Sequence, residues 1–487
     1  MARMTRREWL GRSLLAAAVA GVAAAWPRPA GGQVVGANEA VRVAVAGLRT
    51  RGLQLVDWFR KVPGVRVAAL CDCDTQFFAP ALKRLGDAPE KVATVADFRR
   101  LLDDKDLDAV VLATPNHWHA LQTVWACRAG KDVYVEKPVS HTLVEGRKMV
   151  EAARKYGRIV QAGTQNRSCT GLRAALAWLR EGHLGPMKLV RGYDYPARQS
   201  IGKTDGPQPV PDTCDYNLFQ GPAPLVPLRR KNLHYDWHWF WATGDGDAGN
   251  RGVHTFDHIR WFIGQPDVPP RTVSIAGRFG WDDDGETPNT QVTLFDYRPV
   301  PVLWEMQTLP KHTRPEHLAS IRGLAGSMVI ECEGGFFSGN RGGGTAFDRQ
   351  GKVVKTFRGD GGGIHAANFI AAMHSRKPSD LAADILEGHV SSALCHLANI
   401  SHLTGRPAPP DEIGKAAGGS DLLSESFHRL REHLKANEVD VGRTPLTLGL
   451  ALALDAKTER FVGEGAEQAN ARRDRTYRSP FVMPEEV

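Results

Sequence analysis

The sequence predicts an α/β fold in two parts. The first part is a Rossmann domain with a doubly wound parallel sheet, and the second is an α+β domain with a large, mostly antiparallel open sheet. Two observations predict this division. Up to residue 162, short apolar, β-branched runs alternate with helical patterns, which indicates repeated β-α-β units. After about residue 168, strands at mostly hairpin-length spacings dominate.

The first unit carries the order strand, glycine turn, helix, strand and acid that is typical of dinucleotide-binding folds. The strand Val41–Ala46 leads into a turn bounded by Gly47 and Gly52, and a second strand ends in Asp72. The first glycine allows a tight turn, and the helix N-terminus presents N–H groups to a diphosphate. Asp72 can accept hydrogen bonds from both hydroxyls of an NAD ribose and would repel a 2′-phosphate, so NAD is expected rather than NADP.

Two arginines modify this turn. Arg49 stands where the middle glycine of the motif is expected, and Arg51 follows it. That glycine normally lets the backbone approach the diphosphate. The Arg49 side chain must therefore turn outward, or its guanidinium must contact the phosphates directly.

The stretch Lys131–Val135 predicts a short buried strand that runs into Glu136-Lys137-Pro138. Lys137 then lies at the carboxyl end of a parallel strand, where open α/β sheets bind ligands. It can lose its proton if partly desolvated, or stabilise a developing oxyanion if it stays charged. A surface lysine is the simpler interpretation of an isolated Glu-Lys-Pro, but the flanking strand pattern favours the site.

The other predicted helices and strands continue the alternation up to residue 162, and strands dominate after about residue 168. Helices are predicted near 97–102, 117–129, 144–156, 172–180, 254–262, 364–375, 380–404 and 422–436, and strands at 108–114, 158–162, 187–193, 272–279, 291–297, 302–308, 318–322 and 328–331. Residues 196–227 are predicted to be a long loop, and the tail after residue 410 is predicted to be irregular apart from its one long helix.

Composition excludes several classes of protein. The net charge is +8, and residues 1–28 contain five arginines against one glutamate, so the remaining chain is close to +4. That is too weak and too dispersed for a nucleic-acid partner. The seven cysteines are scattered, which predicts neither a disulfide framework nor a metal site. No stretch after the leader is long and apolar enough to span a membrane.

The N-terminus resembles a twin-arginine export signal. Arg6 and Arg7 precede an alanine-rich run over Leu14–Ala25. Cleavage near Ala23–Ala25 is expected, and a retained, weakly anchoring helix is the alternative. The predicted organisation is therefore a signal and linker over 1–35, a Rossmann domain over 36–167, an α+β domain over 168–410 and a packed C-terminal extension over 411–487.

Taken in order, these motifs resemble the Gfo/Idh/MocA oxidoreductase family, in particular its exported bacterial branch. The residues that carry the resemblance are Gly47–Gly52, Asp72, Thr114-Pro115-Asn116 with His119, Glu136-Lys137-Pro138, 163–168, Asn250-Arg-Gly-Val-His254 with Asp257, and His396-Leu-Ala-Asn399. The resemblance implies NAD(H) or NADP(H), a sugar or polyol substrate, and dimers or tetramers built on the second sheet.

The resemblance also implies roles for individual residues. Lys137 matches the catalytic lysine, with a cis bond to Pro138, and His254 matches the general acid/base histidine. Many relatives have a carboxylate four residues before that histidine, where this chain has Asn250. Asparagine can orient an imidazole but cannot stabilise its charged form as an anion would. Asp257 could partly substitute, or could pair with Arg260.

Further contacts are expected at the edges of the site. Those expected at the cofactor are Gly47, Arg49, Arg51, Gly52, Asp72, Thr114, Asn116, His119, Glu136, Lys137 and Gln165, and those at the substrate are Arg167, Tyr235, Trp237, Trp239, Asn250 and Asp257. For Arg167 the alternative is a structural ion pair. For the aromatic residues it is ordinary core packing.

Three functions remain open at this point. The first is an exported oxidoreductase that transfers a hydride from a sugar to a tightly held nicotinamide, because free NAD is scarce outside the cytoplasm. The second is a redox-neutral glycosidase that works by oxidation, elimination, hydration and re-reduction. The third is a sugar-binding protein without catalytic activity, which Arg49 and Asn250 would favour.

Overall fold

The computed structural model describes residues 40–86, 92–310 and 327–487. The predicted export signal and the predicted strand at 318–322 lie outside these residues. Within them, none of the helices combines the length and the apolar character that crossing a bilayer requires.

The N-terminal half alternates strands and helices, as the sequence predicts. Its elements are β1 (Val41–Ala46), α1 (Thr50–Phe59), β2 (Val65–Cys71), α2 (Phe78–Leu85), β3 (Ala93–Val95), α3 (Arg99–Leu102), β4 (Ala109–Leu112), α4 (Asn116–Arg128), β5 (Asp132–Val135), α5 (Leu143–Lys155) and β6 (Val160–Ala162). All six strands are parallel, in the order β3-β2-β1-β4-β5-β6. The order reverses between β1 and β4, which opens a crevice at the carboxyl ends of these strands.

Local sequence explains these elements. Strands β4 and β5 are buried at every position, as expected for a parallel sheet covered by helices on both faces. Helix α5 starts at the N-cap Thr142, whose hydroxyl accepts from the Glu145 N–H at 3.2 Å, and the Glu145 carboxylate accepts from the N–H of the preceding residue, His141, at 2.9 Å.

The C-terminal half contributes one twelve-stranded sheet. Its elements are α6 (Thr170–Arg180), β7 (Met187–Asp194), α7 (Tyr216–Gln220), α8 (Val253–Ile263), β8 (Arg271–Gly277), β9 (Thr290–Phe295), β10 (Val302–Gln307), β11 (Met328–Cys332), β12 (Gly335–Asn340), β13 (Gly343–Asp348), β14 (Val353–Arg358), α9 (His365–Ser375), α10 (Ile385–Leu403), β15 (Arg406–Ala408), α11 (Pro410–Ala417), α12 (Asp421–Ala436), β16 (Leu446–Leu448), β17 (Leu452–Asp455), β18 (Arg460–Val462) and α13 (Ala466–Asn470). Only the β7–β10 pair is parallel among the described pairs of this sheet.

Helices α8 and α10 connect this sheet to the first one. Phe256 of α8 packs edge-on against Trp304 of β10, with ring centroids 4.8 Å apart. On α10, the Ser392 hydroxyl accepts a 3.0 Å hydrogen bond from the Val139 N–H, two residues after Lys137. The turn after β5 is therefore fixed against the second sheet.

The tail is more ordered than the sequence predicts. Strands β16 and β17 both pair with β8, and α12 packs Phe427, Leu430 and Leu434 onto the sheet face opposite α8. These strands have three or four residues, which is too short for alternation to be visible in the sequence. Further on, Phe481 packs against Trp118 of α4 at a centroid distance of 5.3 Å.

Candidate active site

A cleft of about 320 Å³ lies at the carboxyl ends of β1, β2, β4 and β5, and residues from 218–219 and 234–238 contribute to its lining. It is the site that the order of the parallel strands predicts. The predicted residues that line it are Gly47, Arg49, Arg51, Gly52, Asp72, Thr114, Asn116, His119, Glu136, Lys137, Tyr235, Trp237 and Asn250.

The glycine turn has no space for side chains at its two ends. A Cβ on Gly52 would lie 1.7 Å from the Gly47 carbonyl oxygen, and one on Gly47 would lie 2.5 Å from the Ala113 carbonyl oxygen. Gly47 also has a φ of +82°, which favours glycine. The turn thus brings backbone close to the mouth of the cleft, where α1 begins.

Asp72 is held rigidly at the end of β2. Its two carboxylate oxygens accept hydrogen bonds from the Leu48 N–H at 2.7 Å and the Asp74 N–H at 3.0 Å. Burial raises the pKa of Asp72 to about 6, and the two backbone hydrogen bonds counteract that rise. At neutral pH the carboxylate is therefore ionised and each oxygen can still accept from a ribose hydroxyl.

The Arg49 side chain reaches across the cleft. Its Nη1 donates a 2.7 Å hydrogen bond to the carbonyl oxygen of His234, at the start of the aromatic cluster. The imidazole of His234 lies 2.9 Å from the Asp74 carboxylate. Arg49 therefore spans the cleft between the glycine turn and the second half of the chain, while Arg51 pairs with Glu136 at 2.7 Å.

Lys137 lies at the base of the cleft, and its bond to Pro138 is cis, as the resemblance implies. The Lys137 ammonium donates to the backbone carbonyl of Asn250 at 2.8 Å. Burial lowers the pKa of Lys137 to about 8, although the neighbouring Glu136 carboxylate opposes this shift. His119 donates from Nδ1 to the Pro138 carbonyl at 2.7 Å and so stabilises the same turn.

His254 is in the first turn of α8, directly after a wide π turn over Ala248–Gly252. It is buried, and its Nδ1 has no hydrogen-bond partner among the described residues. Burial, followed by the charges of Lys137 and Arg341, holds the pKa of His254 well below its usual value. The imidazole is thus neutral at pH 7 and able to accept a proton.

The structure does not place Arg167 and Asp257 at the cleft. Arg167 Nε donates to both oxygens of Asp257 at 2.8 and 3.0 Å, and Arg167 also pairs with Glu387 at 2.9 Å. Their charges are used in a buried pair, which is the alternative given above for Arg167. Asp257 consequently does not substitute for the missing carboxylate, and the Asn250 amide donates instead to Asp247 at 3.4 Å.

Four other residues expected at the cofactor or the substrate differ from that expectation in their position or their hydrogen bonds. Trp239 is 5% exposed and belongs to the core rather than to the cleft wall, with its ring 5.4 Å from Tyr235. Gln165 also does not line the cleft, and neither does His254. Asn116 lines it, but its amide donates to the buried Asp245 at 2.9 Å, so part of its hydrogen-bonding capacity is already used.

Sequence reasoning missed two groups near Lys137. His238 lines the cleft and stacks on Trp237 with ring centroids 3.7 Å apart. The sequence could have indicated His238, because it lies inside the aromatic cluster that was expected to contact the substrate. Arg341 lies in the turn between β12 and β13, and that hairpin was not predicted.

These residues fit a bound NAD. The glycine turn admits a close diphosphate, ionised Asp72 can accept from ribose hydroxyls, and the buried Nε2 of His119 has no partner among the described residues. A six-stranded parallel sheet with this cleft, joined to a large open sheet, defines a dinucleotide-dependent oxidoreductase class.

Comparisons with known proteins identify the family. Residues 41–164 match the oxidoreductase family NAD-binding Rossmann fold, and residues 181–293 match the same family's C-terminal alpha/beta domain. The chain belongs to the Gfo/Idh/MocA oxidoreductase family.

Individual relatives are more distant. The chain is 34% identical over 171 residues to a glycosyl hydrolase family 109 protein of Shewanella sp. (strain ANA-3), covering 31% of this chain and 38% of that one. It is 31% identical over 162 residues to an inositol 2-dehydrogenase of Salmonella paratyphi B (strain ATCC BAA-1250 / SPB7), covering 32% and 46%. The chain thus spans less than half the length of these curated relatives.

A solved structure supports the fold over a longer stretch. The WlbA dehydrogenase of Bordetella pertussis, solved with NADH and UDP-GlcNAcA, superimposes with a TM-score of 0.55. The match covers 74% of this chain and 95% of that one at 19% identity, which is evidence of a shared fold.

Proposed function

We propose that this protein is an oxidoreductase that oxidises a hydroxyl-bearing carbon of a sugar or sugar derivative. The observation that carries the proposal is the hydrogen bond from Lys137 to Asn250, four residues before His254, at the cleft where Asp72 and the glycine turn fit NAD. Bound NAD⁺ supplies the acceptor for the hydride that leaves the sugar carbon.

The protein's own residues handle the proton and the developing charge. Neutral His254 accepts the proton of the reacting hydroxyl. The Lys137 ammonium, which is largely protonated at pH 7, donates to the oxygen that becomes a carbonyl. Asn250 holds that ammonium through its backbone carbonyl, so replacing the usual carboxylate side chain does not remove this contact.

Small-molecule mass spectrometry of the native protein tests the proposal. We expect NAD⁺ or NADH to be released on denaturation, or to bind when added to nucleotide-free protein. A protein that neither retains nor binds either form would instead be a sugar-binding protein without redox chemistry, and the proposal would fail.

A second candidate is a redox-neutral glycosidase, favoured by the similarity to a glycosyl hydrolase family 109 protein. In that cycle the sugar is transiently oxidised, the aglycone is eliminated, water adds, and the carbonyl is reduced again. Release of p-nitrophenol from p-nitrophenyl glycosides without consumption of added NAD would favour it. Stoichiometric accumulation of an oxidised sugar would favour the plain oxidoreductase.

We also propose export through the twin-arginine pathway, because Arg6 and Arg7 precede an alanine-rich run. A folded protein exported in this way could carry NAD acquired in the cytoplasm. We propose in addition that the chain divides into two domains at about residue 168 and that it assembles into dimers or tetramers. Subcellular fractionation of cells that express the Arg6→Lys, Arg7→Lys variant tests export, since the variant should stay in the cytoplasm.

A further inference from the structure

A second cluster of charge lies beyond Lys137, at one edge of the large sheet. In the strand register, Gly192 of β7 is opposite Met328 of β11, and Met328 is opposite Gly339 of β12. Strands β7 and β12 run in the same direction, so Asp194 and Arg341, each two residues further on, emerge at the same edge. They are two strands apart, or roughly 10 Å.

Helix α8 crosses this edge next to its reactive histidine. A Cβ on Gly192 would meet Thr255 at 2.7 Å and Ile259 at 2.9 Å, so β7 and α8 are in direct contact there. Arg251, one residue after the Lys137 partner Asn250, points its Nε to within 4.0 Å of the Asp194 carboxylate. Arg251 and Arg341 therefore lie on the same side of the site as His254.

The charges at this edge do not balance. Arg51 is paired with Glu136 at 2.7 Å, and Arg198 is paired with Asp247. This leaves three positive charges, on Lys137, Arg251 and Arg341, and one negative charge, on Asp194. The Asp194 carboxylate already accepts a 3.0 Å hydrogen bond from the Trp304 indole N–H. Arg341 is exposed and makes no hydrogen bond or ion pair with the described residues.

Neighbouring polar atoms are also unpaired. His258, one turn after His254 on the same helix face, is 1% exposed, and neither of its ring nitrogens has a partner among the described residues. Arg341 is among the charges that lower the pKa of both imidazoles, after burial. Buried polar groups are normally satisfied, so each of these nitrogens still has the capacity for one hydrogen bond.

We propose that the sugar substrate carries an anionic group, a carboxylate or a phosphate, and that Arg341 and Arg251 bind it. The two planar guanidiniums suit the paired oxygens of either group. This inference rests on the proposed function, because it names the chemical class of the same substrate. Neither arginine lines the cleft in which the Gly47–Gly52 turn is expected to bind the cofactor diphosphate.

The test compares neutral and anionic forms of the same sugars with the NAD-loaded protein. Calorimetry measures the Kd of D-glucose, D-galactose and D-mannose, of their uronates and of their 6-phosphates. We expect at least one anionic form to bind about 10-fold tighter than its parent, as for hydrogen bonds between charged groups. A preferred uronate identifies a carboxylate ligand, and a preferred sugar phosphate identifies a phosphate ligand.

Two variants locate the effect. Arg341→Gln should remove the 10-fold preference for the anionic sugar while leaving the Kd of the neutral sugar unchanged. Arg251→Gln should reduce the same preference. Arg349→Gln is the matched control, because Arg349 is also an exposed arginine, in the hairpin turn at the other end of β13. It should keep the full preference.

The inference is overturned if no anionic sugar binds more tightly than its neutral parent, or if the preference survives in Arg341→Gln. The absorbance of reduced nicotinamide, followed in the same samples, distinguishes failure of this inference from failure of the proposed function. Neutral sugars that reduce the bound NAD⁺ with no charge preference would overturn this inference alone. If none of the sugars reduces it, the proposed function fails as well.

Discussion

The Lys137 ammonium donates a 2.8 Å hydrogen bond to the backbone carbonyl of Asn250. This contact joins the end of β5 in the first sheet to the turn that opens α8 in the second half of the chain. The amine is thereby held by backbone rather than by an acidic side chain, so this contact does not depend on the side chain at position 250.

The rate of sugar oxidation should fall above about pH 8. Burial lowers the pKa of Lys137 to about 8, so the ammonium that polarises the substrate oxygen is lost as the pH rises through that value. His254 has a pKa well below 6.5, so the proton-accepting form persists through neutral pH. A pH profile of single-turnover rates should decline about tenfold per pH unit on its alkaline side. A rate that is constant between pH 7 and 10 would contradict Lys137 as the acid.

Asp72→Ala should weaken NAD binding by roughly 30-fold, equivalent to about 2 kcal/mol for a lost charge-assisted hydrogen bond. It should weaken NADP binding less, because the repulsion of the 2′-phosphate disappears. In the wild type, NAD affinity should also decrease below about pH 6, where Asp72 becomes protonated. Fluorescence titration with NADH and NADPH measures both effects. Equal losses for the two nucleotides would contradict the role of Asp72 at the ribose.

Arg49→Ala should release bound cofactor faster. Its guanidinium bonds to the His234 carbonyl across the cleft, and without that hydrogen bond the aromatic segment can separate from the glycine turn more easily. We expect a loss of about 1.5 kcal/mol, or roughly a 10-fold higher dissociation rate, in stopped-flow displacement of NADH. Arg60→Ala, just past the other end of α1, is the control and should leave this rate unchanged. Identical rates for both variants would mean that Arg49 does not retain the cofactor.

Asp257→Asn should destabilise the fold rather than impair chemistry. Arg167 and Asp257 form a buried pair, and removing one partner of such a pair costs about 3 to 5 kcal/mol. Urea unfolding should show this loss, while kcat per folded molecule stays near that of the wild type. Asp440→Asn breaks an exposed pair with Arg443 and should change the unfolding free energy by less than about 1 kcal/mol. A large fall in kcat without loss of stability would restore Asp257 as a functional residue.

Much of the site was predictable because its signals are local. The glycine turn, Asp72 and Lys137 each follow a strand with a clear apolar pattern, and parallel strands bring their carboxyl ends to one edge. The Arg167–Asp257 pair was not predictable, since it joins residues 90 positions apart and either charge could equally have faced a ligand.

The long-range parts of the fold were harder to predict for a similar reason. Strand β16 pairs with β8 across some 170 residues, and nothing in a three-residue strand shows which partner it will find. Arg341 was missed because β12 and β13 are rich in glycine, which hides the alternation that usually marks a hairpin.

A double-mutant cycle in single-turnover reduction of bound NAD⁺ tests the central claim most directly. Lys137→Ala and His254→Ala should each lower the rate by about 10² to 10⁴-fold, because each removes a group that acts on the same hydroxyl. The double variant should be little slower than the slower single variant. Lys155→Ala, on the exposed surface of α5, is the control and should retain the wild-type rate. Full turnover in Lys137→Ala, or strictly multiplicative losses in the double variant, would contradict a shared site.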